Sequence, residues 1–306
     1  MINTLTNDFD SFIKEISLNQ KEIDDIIEKH NNLTTMLKKE PPKGYKILKT
    51  RLSGSYAKHT VLNEYDKSKL PDVDIVIIIE SNKKSVDEIN RDFLNYFKIK
   101  KGKVVSEIRQ QSNSISLIYS NISVDIVIAV FDGENLKITS HKMHNWILSN
   151  CIKHIEYMTK RNNEYEGFSY YDLMKLFKFL NKEKINNKIK SYTLEQLVHM
   201  CAPKNRVGLR LYQAFSETLL NISNIESISN IRDCCDNNKK GYDDKDTLNF
   251  KLFIYEINKY AKLSRKALAG DRKQWNEIFG EKFPIQTHNI VKNKGQYDKK
   301  QTPWCY

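Results

Sequence analysis

Residues 71–79 read Pro71-Asp-Val-Asp-Ile-Val-Ile-Ile-Ile79, in which two aspartates precede an unbroken run of β-branched apolar residues. Such a run is typical of a strand buried on both faces, as in the centre of a sheet that helices cover. The proline stands at the start, where a strand tolerates its missing N–H group. This stretch therefore predicts a central strand with two carboxylates at its beginning.

A second stretch repeats this pattern. Residues 123–130 read Ser-Val-Asp-Ile-Val-Ile-Ala-Val, so Asp125 also lies near the start of an apolar strand, one that can lie beside the first. Further strands are predicted at 46–53, 104–108 and 114–119, with a helix at 85–98 and a tight turn at 119–122.

Apolar residues at spacings of three and four predict helices on both sides of this β-rich segment. One long helix is expected over 7–39, and Pro41 and Pro42 end it. Other predicted elements are helices at 141–162, 169–184, 193–201, 206–221, 247–268 and 271–279, a polar loop at 233–246 and an irregular polar tail after Pro284. We therefore predict an α+β protein with a sheet domain at 1–136, which includes the long N-terminal helix, and a helical domain at 137–306.

The composition indicates a folded protein without a membrane segment. Of the 306 residues, 40% are hydrophobic and 10% aromatic, which is too many for a disordered chain. The longest apolar run, 75–79, is far shorter than the roughly 18–20 residues that span a bilayer. The N-terminal stretch lacks the basic and apolar regions of a signal peptide. We therefore expect a cytoplasmic location and no membrane partner.

The formal net charge of +12 is compatible with an anionic ligand such as a nucleic acid or a polyphosphate. However, the lysines are spread along the whole chain, and lysine is mostly a solvated surface residue. The charge alone is therefore weak evidence for any anionic partner.

The five cysteines include no Cys-x-x-Cys pair and are odd in number. This argues against a disulfide framework and against a ribbon-type zinc site. A zinc site made of His199, Cys201 and the adjacent Cys234 and Cys235 is conceivable in three dimensions. Free cysteines are more often small buried hydrophobic residues, and that is the interpretation we favour from the sequence.

The carboxylates of Asp72 and Asp74 point to the same side of the sheet, because they lie two residues apart on one predicted strand. With Asp125 on a neighbouring strand, three carboxylates converge, and without partners they would repel one another. Divalent cations such as Mg²⁺ remove this repulsion, and two of them can activate an attacking hydroxyl and stabilise a leaving pyrophosphate. The alternative for an Asp-x-Asp at a strand start is a cap or a surface pair.

Gly54 and Ser55 follow the first predicted strand, where it turns into a short helix. A glycine lets the backbone approach a phosphate closely, and the exposed N–H groups and the serine hydroxyl can bind its oxygens. A Gly-Ser pair alone usually marks a turn. Followed by two strands that begin with acids, it becomes a much more specific indication of phosphate chemistry.

Three stretches resemble the motifs of the polymerase-β-like nucleotidyltransferases, namely Leu52-Ser-Gly-Ser-Tyr-Ala-Lys-His-Thr60, Asp72-Val-Asp-Ile-Val-Ile77 and Ser123-Val-Asp-Ile-Val127. Within that superfamily the chain resembles most the cGAS/DncV-like nucleotidyltransferases of bacterial antiphage signalling. Three further stretches carry this resemblance: Asp172-Leu-Met-Lys-Leu-Phe-Lys-Phe-Leu180, Lys190-Ser-Tyr-Thr-Leu-Glu195 and Trp275-Asn-Glu-Ile-Phe-Gly-Glu-Lys-Phe-Pro284. The resemblance spans roughly residues 45–284.

The resemblance implies a two-lobed enzyme whose active site lies in the cleft between a nucleotidyltransferase sheet and an all-helical domain. The residues with an implied role are the catalytic metal ligands Asp72, Asp74 and Asp125 and the nucleotide-binding residues Gly54, Ser55, Lys178, Ser191 and Tyr192. The ligands would hold two Mg²⁺ ions, with Mn²⁺ as a substitute. Lys178 would meet phosphate, whereas Ser191 and Tyr192 would contact phosphate and stack on a base.

The implied activity is the joining of nucleoside triphosphates, ATP or GTP among them, into a cyclic di- or trinucleotide that a downstream effector senses. No segment matches the zinc-binding insertion of the animal DNA sensor of this family, so activation by DNA is not supported. Two other interpretations stay open: a nucleotidyltransferase that modifies an RNA tail or a protein, and a non-catalytic nucleotide-binding module. The three clustered carboxylates argue against the second, because binding alone does not need them.

Overall fold

The computed structural model describes residues 2–63, 71–81, 83–100, 102, 105–204 and 207–284. The strands of this part of the chain are β1 (Ile47–Ser53), β2 (Asp72–Ile79), β3 (Glu107–Gln110), β4 (Ile115–Ile118), β5 (Ser123–Asp132), β6 (Asn135–Ser140), β7 (Asn145–Ser149), β8 (Arg232–Asp233) and β9 (Asp236–Lys240). Its α-helices are α1 (Ile2–Ile16), α2 (Gln20–Lys39), α3 (Gly54–Ala57), α4 (Val86–Lys100), α5 (Cys151–Glu164), α6 (Tyr170–Phe179), α7 (Ser191–Cys201), α8 (Leu211–Ser223), α9 (Phe250–Leu268) and α10 (Gln274–Phe279). A π-helical turn, Leu180–Lys184, continues α6.

Seven strands form one sheet in which β2 has a central position. The order is β1-β2-β5-β4-β3, and β6 extends the sheet by pairing with the second half of β5 and with β7. The β2–β5 pair is parallel, and the other pairs of this sheet are antiparallel. The structure therefore confirms the predicted central strand, its predicted neighbour and the α+β fold class.

The two faces of β2 meet different partners. Val73, Ile75 and Ile77 belong to an apolar core between the sheet and two helices. The helical residues of this core include Ile26, Leu33 and Leu37 of α2 and Ile89, Phe93 and Phe97 of α4. The buried residues of the smaller cluster on the opposite face are Val76, Ile78, Ala129 and Leu136. The strand is thus covered on both faces, and Asp74 lies on the second face because it precedes Val76 by two residues.

The N-terminal helix is divided into α1 and α2, so the prediction of one long helix over 7–39 was wrong. The Asn19 side chain accepts a hydrogen bond from the Glu22 N–H at 3.0 Å, and the Glu22 carboxylate accepts one from the Asn19 N–H at 2.7 Å. This capping box starts a new helix. Just before it, the backbone of Ser17 forms a bridge with Leu62 instead of continuing α1.

The two N-terminal helices pack against different cores. Whereas α2 covers the sheet, α1 packs among the helices of the second half of the chain. Phe9 and Phe12 of α1 are fully buried, and both rings contact Phe279 and Phe283. The sheet also continues past residue 136 through β6 and β7. The division into domains at 1–136 and 137–306 stays a prediction. The packing of α1 with the later helices and the continuation of the sheet past residue 136 both affect where a boundary would be drawn.

The helix predicted over 141–162 begins only at α5. The residues before it form β7, which pairs with β6 through Thr139 opposite Trp146 and Ser140 opposite Asn145. The Trp146 side chain also packs against the core beneath the sheet. Strand pairing and this burial override the helical spacing of the local sequence.

The segment predicted as a polar loop over 233–246 contains the β8–β9 hairpin and a 3₁₀ turn at Asp244–Asp246. The Asp233 carboxylate accepts the Cys235 N–H at 2.7 Å, which stabilises the tight connection between the two strands. Polar strand residues of this kind carry little apolar alternation, so the sequence pattern did not indicate a hairpin.

Three predictions reach residues beyond the described ones, and one of them is the helix predicted over 206–221, whose first residue, Arg206, lies outside them. The polar tail after Pro284 lies outside them, and so does Val104, the first residue of a strand predicted at 104–108. In the described part of that strand, pairing begins at Glu107. Among the described helices, none has the length and apolar character needed to cross a membrane.

The position of α1 gives a stability prediction. Phe9 is fully buried, and its ring centroid lies 4.9 Å from that of Trp275 and 5.0 Å from that of Phe283. We expect Phe9→Ala to lower the free energy of unfolding by about 3–5 kcal/mol, through lost burial and a residual cavity. Denaturant unfolding followed by circular dichroism measures the change.

Tyr255→Ala is the matched control, because 71% of this aromatic side chain is exposed. Its unfolding midpoint should stay near that of the wild type. Equal effects of the two substitutions would contradict the placement of α1 in the helical core.

Candidate active site

The turn between β1 and α3 places backbone directly against Asp74. Ser53, the last residue of β1, pairs with Asp74 in the antiparallel β1–β2 ladder. Gly54 follows with φ of +60°, and a Cβ atom added to it would lie 1.7 Å from Asp74 Oδ2. Any other residue at position 54 would therefore displace the carboxylate or the turn.

The register of the sheet brings the predicted acids together. Asp74 and Asp125 are direct neighbours on the parallel strands β2 and β5, and Asp72 precedes Asp74 by two residues on the same side. On the other edge of β5, Ser116 of β4 pairs with Asp125 and donates its hydroxyl proton to Asp125 Oδ1. The Gln111 amide in turn donates to Ser116 Oγ at 2.5 Å, which orients the hydroxyl group.

The surroundings of Asp74 disfavour the ionised form of its carboxyl group. Burial and the neighbouring charge of Asp125 raise the pKa of Asp74 from 3.8 to about 6, although Lys58 and Lys178 act in the opposite direction. An ionised Asp74 is therefore costly in the metal-free protein. Hard divalent cations prefer carboxylate oxygens and would offset this cost, so the three acids fit a site for Mg²⁺ or Mn²⁺.

A buried ion cluster adjoins the acids. Glu195 of α7 accepts a hydrogen bond from Lys178 of α6 at 2.8 Å and one from Lys58 at 2.5 Å. Only 4% of the Glu195 side chain is exposed. Burial would raise the pKa of Glu195, but the two ammonium groups hold it far below its ordinary range. One carboxylate thus faces two lysines, which leaves positive charge beside Asp74.

Lys178 also joins the helical part of the molecule to the Gly54–Ser55 turn. Its Nζ donates to Thr60 Oγ1 at 2.8 Å, and the Thr60 N–H donates to the Ser55 carbonyl at 2.9 Å. Ser191 is exposed and precedes Glu195 by four residues on α7, so it lies on the helix face that meets the lysines. The structure therefore brings the sheet acids, the turn, Lys178 and the Ser191 face of α7 into one region, which we call the candidate cleft.

Tyr192 is placed by a different set of contacts. Its hydroxyl donates to Asp233 Oδ2 at 2.7 Å, and the hydroxyl oxygen lies 3.1 Å from the Lys240 carbonyl oxygen. Its ring lies nearly parallel to that of His154, with centroids 5.9 Å apart. The half-buried Tyr192 is thus held by the β8–β9 hairpin at the start of α7, next to Ser191.

The zinc site conceived from the sequence is not the group that the described residues form. His199 is buried and shares a hydrogen bond of 2.9 Å with the Tyr170 hydroxyl. Burial lowers the pKa of His199 to about 3, so its ring is neutral. The side chains that approach Cys234 and Cys235 are instead His154 and Asp233.

Sequence reasoning missed several residues of the cleft. Lys58 and Thr60 lie inside the motif quoted for Gly54 and Ser55, and Glu195 follows Ser191 by one helical turn, so spacing alone could have indicated them. Ser116 carried no sequence signal, because only strand pairing places it beside Asp125.

The sequence is similar to one family and to one curated protein. A model of the Second Messenger Oligonucleotide or Dinucleotide Synthetase (SMODS) domain matches residues 3–162, just over half of the chain. A curated cyclic AMP-AMP-AMP synthase from an Acinetobacter strain is 23% identical over 300 residues, which cover 92% of this chain and 86% of the relative.

Similar solved structures include proteins of three bacteria. The Bradyrhizobium diazoefficiens CD-NTase CdnG in complex with GTP aligns with a TM-score of 0.70 at 12% identity, over 90% of this chain and 95% of CdnG. Escherichia coli CdnC with ATP gives 0.68 at 15%, over 92% and 99%. The apo form of Vibrio cholerae DncV gives 0.66 at 8%, over 90% and 93%. These likenesses show that the chain has the CD-NTase fold.

Because the pKa of Asp74 is raised, we expect the stability of the metal-free protein to depend on pH. The pKa of Asp74 is raised on folding from 3.8 to about 6, so the folded state binds the proton more tightly. The Asp74 carboxyl group therefore does not reduce the free energy of unfolding below about pH 4. Its ionisation lowers this free energy as the pH rises to about 6, and the loss remains at higher pH. We expect Asp74→Asn to stabilise the metal-free protein by up to about 3 kcal/mol at pH 8 and hardly at all at pH 4.

Denaturant unfolding at the two pH values, in the presence of a chelator, measures this difference. The control is Glu134→Gln, which removes an exposed carboxylate and should leave the difference from wild type the same at both pH values. A destabilising effect of Asp74→Asn at pH 8 would show that the ionised carboxylate is satisfied without a cation.

Proposed function

The chain belongs to the family of second messenger oligonucleotide or dinucleotide synthetases, and on this premise we propose that it joins nucleoside triphosphates into a cyclic oligonucleotide. In the proposed reaction, a ribose hydroxyl of one nucleotide attacks the α-phosphate of another, and pyrophosphate leaves. The linear product then binds again in the same cleft for ring closure. A cyclic di- or trinucleotide of this kind would act in antiphage signalling by binding a downstream effector.

The observation that carries this proposal is the in-register pairing of Asp74 with Asp125, two residues beyond Asp72. We assign all three as ligands of two Mg²⁺ ions, for which Mn²⁺ can substitute. When bound, such ions would lower the pKa of an attacking hydroxyl and stabilise the charge of a leaving pyrophosphate. We propose that Asp125 orients the attacking hydroxyl, which the hydrogen bond from Ser116 supports by fixing one of its oxygens.

Gly54 and Ser55 are proposed to bind the triphosphate. The close approach of the Gly54 backbone to Asp74 puts the first N–H groups of α3 beside a proposed metal ligand. A triphosphate that shares the cation with Asp74 would thus lie within reach of these donors and of the Ser55 hydroxyl.

Lys178 and Lys58 supply positive charge for the same phosphates. In the structure both donate to Glu195, and both lower the pKa of Asp74. We propose that Lys178 contacts phosphate, with Glu195 setting its position. The exposed Ser191 hydroxyl, one turn before Glu195, is proposed as a further phosphate donor.

Tyr192 is proposed to stack on a base of the bound nucleotide. Its hydroxyl is held by Asp233 of the hairpin, and the nearly parallel ring of His154 lies against it, so that the two contacts together restrict the plane of the ring. A fixed aromatic plane is suited to stacking because little freedom is lost on binding. ATP and GTP are the proposed substrates, and ATP is favoured because the Acinetobacter relative is named for an adenine product.

The proposal is tested by incubating the purified chain with all four labelled nucleoside triphosphates and Mg²⁺ or Mn²⁺. We expect a small oligonucleotide that resists phosphatase, because ring closure leaves no terminal phosphate, and mass analysis identifies it. Label that appears only on added RNA or protein would favour a macromolecule-modifying transferase. Nucleotide binding without any product, with or without a phage lysate as activator, would favour a binding module.

The proposed metal ligands give a mutational prediction for turnover. Asp72→Asn, Asp74→Asn and Asp125→Asn should each abolish product formation while the fold is retained, because each removes a carboxylate that holds the cations. The control is Glu134→Gln, an exposed carboxylate on the β5–β6 turn that should leave turnover unchanged. Near-normal turnover of any of the three variants would contradict the assigned ligand set.

Lys178 gives a mutational prediction for nucleotide binding. Lys178→Met keeps the apolar stem but removes the charge, and should weaken binding of a non-hydrolysable ATP analogue by about 10- to 100-fold, as expected for a lost hydrogen bond to a charged group. Isothermal titration calorimetry measures the affinity, with Lys262→Met on the exposed face of α9 as the control. A drop in melting temperature without a change in affinity would make Lys178 a structural partner of Glu195 alone.

A further inference from the structure

Four potential metal ligands meet between the β8–β9 hairpin and α5, away from the three acids of the sheet. One ligand atom from each of His154, Asp233, Cys234 and Cys235 lies within 4.8 Å of all the others. His154 and Asp233 are nearly buried, with 14% and 3% of their side chains exposed. The group thus combines an imidazole, a carboxylate and two thiols, the ligand types that zinc takes in proteins.

The spacing of the sulfur atoms fits a tetrahedral ion. Cys234 Sγ and Cys235 Sγ are 3.6 Å apart. Two sulfurs bound to one zinc at about 2.3 Å with tetrahedral angles lie about 3.8 Å apart. Adjacent thiols are therefore already close to the separation that one ion requires, and only small side-chain adjustments would complete the site.

The surroundings hold the ligands in this arrangement. His154 Nε2 lies 3.0 Å from Asp233 Oδ2, and Asp233 Oδ1 accepts the Cys235 N–H at 2.7 Å. The Cys234 N–H donates to the side chain of Gln196 on α7 at 2.8 Å. Hydrogen bonds of this kind around a metal site orient its ligands. Contacts from three separate elements thus converge on one point.

We propose that His154, Asp233, Cys234 and Cys235 bind one Zn²⁺ ion, at a site separate from Asp72, Asp74 and Asp125. Binding would release the two thiol protons to solvent, leaving thiolate ligands, a neutral imidazole and one carboxylate oxygen on the ion. The other Asp233 oxygen would keep the hydrogen bond from Tyr192. The ion would fix the hairpin against α5 and thereby hold Tyr192 in place at the start of α7.

Metal content tests the site without reference to catalysis. The full chain, purified without a chelator, is expected to contain about one zinc per chain by mass spectrometry of the metal. Replacement with Co²⁺ should give the visible bands of a tetrahedral ion and a thiolate charge-transfer band. Cys235→Ser and His154→Ala should lose the metal, whereas Cys151→Ser, a cysteine outside the group, should keep it. Asp74→Asn should keep it too, which separates this site from the proposed catalytic one.

Thiol alkylation of the wild-type chain gives a test that needs no variant. Zinc should protect Cys234 and Cys235, a chelator should restore their reactivity, and Cys151 should react equally in both conditions. Alkylation of the pair unaffected by zinc would overturn the proposal. So would a cobalt spectrum without the thiolate band, or a Cys234–Cys235 disulfide, seen as the loss of two hydrogens, in a metal-free protein. A protein that binds zinc here but makes no cyclic product would leave this inference intact and refute the proposed function alone.

Discussion

The parallel pairing of β2 with β5 is the constraint on which the rest of the structure depends, because it sets Asp74 directly beside Asp125. Burial and the neighbouring charge of Asp125 disfavour the ionised carboxylate and raise the pKa of Asp74 to about 6. The apolar core under the sheet keeps the register in spite of this cost, since a slip of one residue would turn the Asp74 carboxylate into that core. A divalent cation would offset the same cost.

Beside the negatively charged acids of the sheet lies an ion cluster of one carboxylate and two lysines, which has a net positive charge. Glu195 holds Lys58 from the sheet side and Lys178 from α6, so the ion cluster joins the two sides of the cleft. Removing one member of such a buried cluster leaves the charges of the others without a partner and destabilises the fold. Variants of the cluster therefore need a measurement of stability as well as one of affinity. Near the start of α7, Tyr192 donates a hydrogen bond to Asp233 of the β8–β9 hairpin.

Much of the sheet and of the acidic site could be predicted because those residues carry local signals. The β-branched runs with leading aspartates indicated β2 and β5, and glycine after β1 indicated the turn. What the sequence did not indicate depends on tertiary contacts: the capping box at Asn19 that divides the N-terminal helix, the pairing that makes β7 a strand, and the polar hairpin of β8 and β9. His154 could not be connected with Cys234 from spacing, because about eighty residues separate them and only the packing of α5 brings them together.

We propose that Asp72, Asp74 and Asp125 hold two divalent cations against a bound triphosphate. Anomalous diffraction from crystals of the full chain, grown with Mn²⁺ and a non-hydrolysable ATP analogue, would locate both ligands. We expect two manganese peaks within ligand distance of these carboxylates, with the triphosphate next to Gly54 and Ser55. Manganese bound elsewhere, or a triphosphate that lies away from Asp74, would contradict it.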